Sequence, residues 1–496
     1  MSADNGVEQW REACTTYHRD VALAHLDAPP GAGREARLAQ AIARCAEVCS
    51  APALAVLQSV IDTAPASQQE TLHRLRAWGL RMHLQGTMLP YQRQMRARQR
   101  AMTCHVGEEP IPLLASFSAL ATESRRDRRA AIETAISEQL ETLAELFEAQ
   151  FEALRNAGQQ LGYDSLESLW NTISGVELAA QQDVVTELLQ ETQSAYVELL
   201  TWAVQGRLRL PLAQLRRHDI LALFTFSEYQ QYYQPGFTVP SLQACLQDLG
   251  IDPWADRRLI WRQHSGALGP PFAVAVELPN EIVLSYSHAG GLQEADACAS
   301  ACGRALLWAY TSSDLELTSR LLGDAAIPTS SAQFMAEVIA HPLWLRRYAR
   351  LSVDGNYEPW RRLDRLYRLR RQLGRFLFAR HLYTSASLTG AAEVYRDIMM
   401  EACLVDYVPA YYLTDWDWQY TSLALWRGWS LASLLLDTLR EDFASDWFWN
   451  PESGTWLLQY WHQALAHGVD DLLHGLRGVA WDVPTFAATL CDEGGG

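Results

Sequence analysis

The fold is indicated by one stretch, Ala273-Val-Ala-Val-Glu-Leu-Pro-Asn-Glu-Ile-Val-Leu284. Its β-branched and alternating residues predict two short strands, and Pro279-Asn280 predicts a tight turn between them. A third short strand is expected at 258–263, and a helix is expected at 293–312. The stretch therefore predicts a small sheet, at about 258–287, that leads directly into a helix.

The rest of the chain carries apolar residues at helical spacing. Before residue 215 this pattern predicts helices at Arg34–Cys49, Gln68–His83, Tyr91–Met102, Arg125–Asn156 and Glu177–Gln205. After the sheet and its helix, it predicts helices at Ser330–Ala340, Arg361–His381, Ala391–Cys403, Gln419–Phe443 and Gly454–Gly468. We therefore expect a mainly α protein, with an N-terminal helical half at 1–215 and a second half at 216–496.

Composition narrows the possible partners. The 496 residues are 49% hydrophobic, which is ample for more than one minimal domain. The net charge of −17 argues against nucleic acid as the main partner, because nucleic-acid binders usually present a basic surface. Arg361–Arg380 is a local exception with eight arginines. It predicts either an arginine-rich helix facing acidic neighbours or a site for an anionic ligand.

Lysine is absent from the chain, so all 41 basic residues are arginine. This excludes Schiff-base chemistry and argues against P-loop and kinase phosphate transfer, which use a lysine. The nine cysteines are odd in number and form no CxxC pair, which is typical of reduced thiols rather than a disulfide framework. With a polar N-terminus and no apolar stretch of about 18 residues, we expect a soluble cytoplasmic protein without a membrane span.

Short motifs follow one another in order from about residue 138 onward. They are Ala153-Leu-Arg-Asn-Ala-Gly-Gln-Gln-Leu-Gly-Tyr-Asp-Ser-Leu166, His218-Asp219, Pro279-Asn-Glu-Ile-Val-Leu284, Gly290-Gly291, Leu322-Gly-Asp324, His341-Pro-Leu-Trp-Leu345, Tyr412-Leu-Thr-Asp-Trp-Asp417, Trp426-Arg-Gly-Trp429 and Asp446-Trp-Phe-Trp-Asn-Pro-Glu-Ser-Gly454. Their order resembles the bacterial zinc peptidases related to oligoendopeptidase F and thimet oligopeptidase.

The resemblance implies a bilobed, mainly helical gluzincin-like fold, with a small sheet before the zinc helix and a deep central cleft. In that family the zinc helix carries an HExxH motif. Two histidines at i and i+4 bind zinc, the glutamate activates water, and a third ligand comes from a later helix.

The chain departs from the family at this helix. The expected HExGHA reads Ser300-Ala-Cys-Gly-Arg-Ala305, with Gly303 and Ala305 setting the register. The resemblance therefore places Ser300 and Arg304 at the two histidine positions and Ala301 at the glutamate position.

The third zinc ligand is missing as well. The family has a glutamate seven residues before Glu337, and this chain has Ser330 there. Serine is a poor zinc ligand, and arginine cannot lose its proton to bind a metal. The sequence therefore predicts no bound metal, no cofactor and no metallopeptidase activity.

Four residues are candidates for ligand binding. Arg304 keeps a permanent positive charge and would anchor an anion or carboxylate, unless it simply pairs with a nearby acid. His288 precedes the former zinc helix and would either reach the cleft or remain a loop histidine. Thr421 stands at the position of the family's substrate-side tyrosine, and Tyr420 fills the preceding aromatic position.

Cys298 and Cys302 have the i, i+4 spacing of metal ligands on the same predicted helix. A two-residue offset turns them by about 200° from the face of Ser300 and Arg304. We therefore expect both thiols in the core, where free cysteine behaves as a small apolar residue.

Three functions remain open from the sequence. The leading hypothesis is a pseudo-peptidase that binds a peptide, a small ligand or a partner protein in the old cleft. The alternative is an enzyme with new metal-independent chemistry in that cleft, such as a step of a biosynthetic pathway. A structural subunit of a hetero-oligomer is the third.

Overall fold

The protein is mainly α-helical in its computed structural model, which describes residues 3–225, 228–255, 257–264, 268–477 and 482–491. Among these residues there are 23 α-helices and five β-strands, so the predicted fold class is confirmed. The helices are α1 (Ala3–Asp27), α2 (Ala32–Cys45), α3 (Ala51–Thr63), α4 (Ala66–Ala101), α5 (Leu113–Thr122), α6 (Arg126–Glu141), α7 (Ala144–Gln160), α8 (Leu166–Ser174), α9 (Leu178–Glu191), α10 (Gln193–Ala203), α11 (Arg217–Thr225), α12 (Thr238–Asp248), α13 (Leu292–Tyr310), α14 (Leu317–Leu322), α15 (Ala326–Ala340), α16 (Pro342–Trp344), α17 (Tyr357–Thr384), α18 (Ala391–Cys403), α19 (Tyr412–Asp415), α20 (Thr421–Phe443), α21 (Pro451–Gln463), α22 (Val469–Arg477) and α23 (Val483–Cys491). The strands are β1 (Thr103–Val106), β2 (Glu109–Pro112), β3 (Leu259–Gln263), β4 (Phe272–Glu277) and β5 (Glu281–Tyr286).

The predicted small sheet is present and has the strand order β3-β5-β4. β4 and β5 pair antiparallel across the turn at Pro279-Asn280, as the sequence predicts, and β3 pairs parallel to β5. Within the predicted range of about 258–287, residues 265–267 lie outside the described residues. The helix that follows the sheet, α13, begins at Leu292, one residue from the predicted start.

One side of the sheet is covered by the N-terminal helix. Ala22 and Leu26 of α1 are buried together with Val276 of β4 and Val283 of β5, and Phe272 packs against this group. The alternation of apolar residues along the strands places these side chains on one face, which explains why an amphipathic helix lies there.

Several helix boundaries differ from the predicted ones. The helices predicted at Gln68–His83 and Tyr91–Met102 form one helix, α4, which continues through Pro90. Leu84 and Met88 are fully buried just before that proline, so packing offsets its usual cost within a helix. Conversely, the single helix predicted at Arg125–Asn156 is two helices, α6 and α7, separated by a bend. The sequence predicts one helix because the apolar period continues across that bend.

A second β element was not predicted. β1 and β2 form an antiparallel hairpin in the half that was expected to be wholly helical, and its turn includes Gly107 in a left-handed conformation. Pro110 and Pro112 lie within β2, and proline in a short run argues against a strand when only the sequence is considered.

The chain divides into two compact units that do not coincide with the expected halves 1–215 and 216–496. Unit 1 comprises Met1–His83, Tyr229–Asp354 and Ala424–Asp482. Unit 2 comprises Leu84–Glu228, Gly355–Leu423 and Val483–Gly496. Each unit therefore takes segments from both halves of the sequence. The deep cleft that the resemblance implies stays a prediction.

Crossing a membrane requires an apolar helix of about 20 residues. In the part of the chain that the structure describes, no helix combines that length with the necessary apolar character.

Candidate functional site

The start of α13 is fixed by side chains that satisfy its first amide groups. The Gly290 N–H donates to Glu294 Oε2 at 3.1 Å, and the Leu292 N–H donates to Gln230 Oε1 at 2.9 Å. The first N–H groups of a helix have no partner within the helix, so such contacts determine where it begins. Gly290 has a positive φ of 79°, which a residue with a side chain rarely adopts.

α13 crosses α15 at Gly303, and the two helices approach closely there. A Cβ atom at Gly303 would lie 1.9 Å from the Ser331 carbonyl oxygen and 3.0 Å from Met335 Cγ. Only glycine fits this crossing. The glycine that sets the sequence register therefore also places Ser300 and Arg304 relative to α15.

α13 presents one half-exposed stripe, and the rest of the helix is mostly buried. The members of this stripe recur every three or four residues; they are Gln293, Ala297, Ser300, Arg304 and Trp308. Trp308 was not among the predicted site residues, although its position four residues after Arg304 indicates the same face. We call these five residues the α13 stripe.

The two cysteines of α13 lie away from the stripe, as predicted. Cys298 is 1% exposed and Cys302 is fully buried, and burial raises the pKa of the Cys298 thiol to about 12. The pKa of Cys302 is also raised well above its ordinary value by burial. Eight of the nine cysteines are buried, and Cys491 is half-buried. Neutral buried thiols are poor metal ligands, because metals bind the thiolate.

The residues at the positions that the resemblance assigns to zinc binding do not fit a zinc ion. Ala301 has no donor atom, and Arg304 carries a positive charge. Ser330 is fully buried and donates its hydroxyl hydrogen to the Ile327 carbonyl oxygen at 2.8 Å. In the described part of the chain, no three or more His, Cys, Asp or Glu side chains are grouped so that they could hold a metal ion.

Arg304 is half-buried and carries an unbalanced charge. Among the described residues, its guanidinium has no hydrogen bond and no ion pair, so no pairing with a nearby acid is present there. Burial lowers the pKa of Arg304 from its ordinary value, and no carboxylate offsets that effect. The side chain nevertheless stays charged at neutral pH, because an arginine cannot be deprotonated in proteins.

His288 lies exposed in the loop before α13. Its ring contacts Tyr286 edge to face, with the ring centroids 5.4 Å apart. Both His288 and Arg304 are described, and no hydrogen bond joins them. The structure therefore places His288 on the surface of the same unit as Arg304, without a hydrogen bond between them.

The remaining two predicted residues lie in unit 2. Tyr420 is 3% exposed, has a positive φ of 53°, and packs edge to face against Trp170 and Tyr383. Thr421 is exposed, but its hydroxyl donates to Asp417 Oδ1 at 2.7 Å. Tyr420 is thus a packing residue and Thr421 is bound to the residue that caps α20, which does not favour a ligand-binding role for either.

Some arginines of Arg361–Arg380 pair with acidic neighbours, which supports the simpler of their two interpretations. Arg371 donates to both carboxylate oxygens of Asp415, at 2.8 and 2.9 Å. Arg380 donates to Glu167 at 2.8 Å. These pairs offset part of the local excess of positive charge within unit 2.

Three solved structures with the same fold are named as peptidases. PZ peptidase A in complex with an inhibitor matches with a TM-score of 0.64 and 12% identity, over 99% of this chain and 97% of that chain. A protein described as oligoendopeptidase F from Bacillus anthracis str. Ames matches with a TM-score of 0.60 and 12% identity, over 98% and 94%. A carboxypeptidase from Pyrococcus furiosus matches with a TM-score of 0.59 and 12% identity, over 98% and 97%.

Sequence comparisons add nothing to these structural matches. No protein-family model matches the chain, and no curated protein matches it. The identities to the solved structures are low, so the matches concern the fold. The chain therefore has the fold of PZ peptidase A, oligoendopeptidase F and the carboxypeptidases, which confirms the predicted resemblance at the level of fold.

Proposed function

We propose that this chain is a non-hydrolytic relative of the zinc peptidases that binds the carboxylate of a peptide or small ligand at Arg304. One observation carries the proposal: Arg304 is half-buried and has no acid partner among the described residues. A partly desolvated charge without a counter-ion costs free energy, and a ligand carboxylate would recover it through charge-assisted hydrogen bonds.

The neighbours of Arg304 on the α13 stripe support a ligand that also has an apolar part. Trp308 follows Arg304 by one helical turn and is half-buried. An indole beside a guanidinium can contact an apolar group while the arginine holds the carboxylate. The peptidase names of the structural neighbours support a peptide as this ligand. His288 stays a secondary candidate because it is exposed.

A direct test compares one short peptide with a free C-terminal carboxylate and the same peptide as its C-terminal amide, by isothermal titration calorimetry. The wild-type protein should bind the acid at least about tenfold more tightly than the amide, since one charge-assisted contact is lost. Arg304→Gln should abolish this preference, and Arg304→Lys should retain part of it. Gln293→Ala, a change on the same stripe that removes no charge, should leave it intact.

Two results would overturn the proposal. An unchanged preference in Arg304→Gln would dismiss this arginine as the anchor. Stoichiometric zinc in the purified protein, together with cleavage of the peptide, would show an active peptidase. Conversion of the bound ligand without zinc would instead favour the alternative of new metal-independent chemistry.

A further inference from the structure

An open pocket of about 700 Å³ lies on unit 2, formed by the start of α6 and the segment leading into α11. Its lining combines two arginines, one histidine, one carboxylate, one amide and two small residues; these are Arg126, Arg216, His218, Asp127, Gln214, Ala130 and Ala213. None of these residues belongs to the site around Arg304.

Arg126 is held in place by a buried carboxylate. Asp219 is fully buried and accepts from Arg126 Nε at 3.0 and 3.1 Å and from Arg126 Nη2 at 3.0 Å. Arg129 Nη2 donates to the same carboxylate at 3.1 Å. The contacts of Arg126 use its Nε and Nη2 atoms, and Nη1 has no partner among the described residues. A guanidinium has five donors in a rigid fork, so the fixed arginine keeps donors for a further acceptor.

Arg216 pairs with a different acid, through one nitrogen only, and its side chain is 53% exposed. Asp406 is 8% exposed and forms an ion pair with Arg216 Nη1. Its other oxygen accepts from Arg396 Nε at 2.8 Å. Arg216 therefore also has Nε and Nη2 without a partner in the described part of the chain.

The charges around the pocket do not cancel. Asp219 is shared by two arginines and Asp406 is shared by two more, so four guanidinium groups face two carboxylates. Of the residues that line the pocket, Arg126 and Arg216 carry two positive charges and the exposed Asp127 carries one negative charge. The lining therefore has an excess of positive charge, although the whole chain has a net charge of −17. This local excess favours an anionic ligand.

A buried histidine also lines the pocket. His218 is 5% exposed. Its Nδ1 lies 2.7 Å from Glu133 Oε2 and its Nε2 lies 3.5 Å from Asp219 Oδ1, so both ring nitrogens face carboxylates. The ring therefore belongs to the same buried network that fixes Arg126 through Asp219.

We propose that this pocket binds a phosphate-class oxyanion, either free or as the phosphoryl group of a small molecule. A carboxylate has two oxygens and is satisfied by a single guanidinium fork. Two guanidinium groups from separate elements, with an amide beside them, suit an anion with more acceptor oxygens. Arg126 is already held by Asp219, so this arginine loses little side-chain entropy on binding.

The test is titration of the full-length protein with inorganic phosphate at constant ionic strength, followed by calorimetry, with acetate as the comparison anion. Wild-type protein should bind phosphate saturably and more tightly than acetate. Arg216→Gln should weaken phosphate binding by about tenfold, because it removes one charge-assisted contact.

Arg396→Gln is the matched control. It also takes one of the two arginines from Asp406, but Arg396 does not line the pocket, so phosphate binding should remain within about twofold of wild type. Thermal melting of both variants checks that they fold. The proposal is overturned if wild-type protein binds no phosphate or binds acetate as tightly, or if both variants weaken binding equally. A phosphoryl compound that competes with phosphate would identify the bound form.

Discussion

Single residues decide what α13 can bind. Ser300 and Arg304 are half-exposed on the α13 stripe, whereas Cys298 and Cys302 are buried on the opposite side of the same helix. The rotation of about 100° per residue predicted this division from the sequence alone. Metal ligands introduced at positions 300 and 304 would therefore face outward, whereas the two cysteines face the core.

The first prediction concerns zinc. The double change Ser300→His with Arg304→His should give measurable zinc binding, at least about tenfold tighter than in the wild-type protein, because two imidazoles at i and i+4 supply half of a tetrahedral set. Metal titration with a chromophoric chelator measures this. Cys298→Ser with Cys302→Ser serves as the control and should leave zinc affinity unchanged. Equal affinity in the double-histidine variant and wild type would contradict the assigned register.

The second prediction concerns acid stability and His341. Burial, together with the nearby Arg440, lowers the pKa of His341 from 6.5 to about 4. Its Nδ1 accepts a hydrogen bond from the Leu343 N–H at 3.3 Å, which requires an unprotonated nitrogen. The unfolded chain takes up a proton near pH 6.5 and the folded protein does so only near pH 4. Stability is therefore lost as the pH falls through this range.

Urea unfolding at pH 7, 5.5 and 4.5 measures this loss. His341 should contribute about 2 to 3 kcal/mol of it. His341→Asn keeps a side-chain acceptor for the Leu343 N–H and removes the titration, so the variant should show a shallower decline. His18, whose pKa burial also lowers to about 4, remains in both proteins and accounts for part of the residual slope. Superimposable declines would rule out His341 as a source.

At the scale of elements, the crossing of α13 and α15 depends on Gly303. A methyl group there would overlap the backbone of α15, so the helices must separate to accept it. Overpacking of a close contact destabilises proteins, and we expect Gly303→Ala to lower the free energy of unfolding by about 3 kcal/mol.

Chemical denaturation measures the free energy of unfolding for this third prediction, and a second glycine in a helix provides the control. Gly475 lies within α22, and a methyl group added there would meet no atom of the described residues within 4 Å. Gly475→Ala should be neutral or stabilise by about 0.5 to 1 kcal/mol, through the higher helix propensity of alanine. Similar losses in both variants would mean that the crossing is not the cause.

Helices and strands were predictable where the sequence carries its own boundary signals. Ala391–Cys403 follows Gly390 and was predicted to the residue, and Glu281–Tyr286 follows the turn at Pro279-Asn280. The hairpin of β1 and β2 was missed because its second strand contains two prolines. The bend between α6 and α7 was missed because Leu143 continues the apolar period across it.

At the scale of the whole molecule, segments far apart in sequence meet through buried polar groups. Arg370 of α17 is 1% exposed and stacks on Tyr196, 4.8 Å from the ring centroid. Its guanidinium donates to the Ala402 carbonyl oxygen of α18 at 2.6 Å and to the Leu189 carbonyl oxygen of α9 at 2.8 Å. One side chain therefore joins three helices of unit 2.

The fourth prediction follows from that junction. Arg370→Met should lower the free energy of unfolding by about 3 kcal/mol, because it leaves buried carbonyl groups without donors. Arg368→Gln, on the same helix, removes an i, i+4 pair with Asp364 from a side chain that is 44% exposed. It should cost about 0.5 kcal/mol or less. Denaturant titration of both variants measures the two losses in the free energy of unfolding. A much larger loss for the buried Arg370 than for the exposed Arg368 is the expected result.

The motifs behind the family resemblance hold the fold together, which explains why the fold was predictable. Asp324, of the Leu322-Gly-Asp324 motif, caps α15 and accepts from Arg427 Nη1 at 3.0 Å. Gly428 beside it would place a Cβ 2.9 Å from the Ala326 carbonyl oxygen. The Leu322 and Trp426 motifs therefore meet in unit 1 and position the helix that carries Ser330.

The site itself was predictable only in part. Its positions followed from the register of Gly303, but the absence of an acid beside Arg304 among the described residues depends on packing that no local pattern encodes. The same holds for the arrangement of the chain into two units, each built from three separate segments. The pocket on unit 2 likewise unites residues from α6 and from the segment before α11, about 90 positions apart in sequence.

The burial of eight of the nine cysteines makes the folded protein almost inert to thiol reagents. Cys491 is the half-buried exception, and its backbone carbonyl oxygen accepts from Arg362 Nη1 at 2.7 Å, which ties the end of α23 to α17. A maleimide fluorophore added to the native chain should thus attach first at a single position, without any engineered cysteine. The fluorescence of this label would report whether the last helix is docked. The slower labelling rate of the other eight thiols would measure how often the core opens.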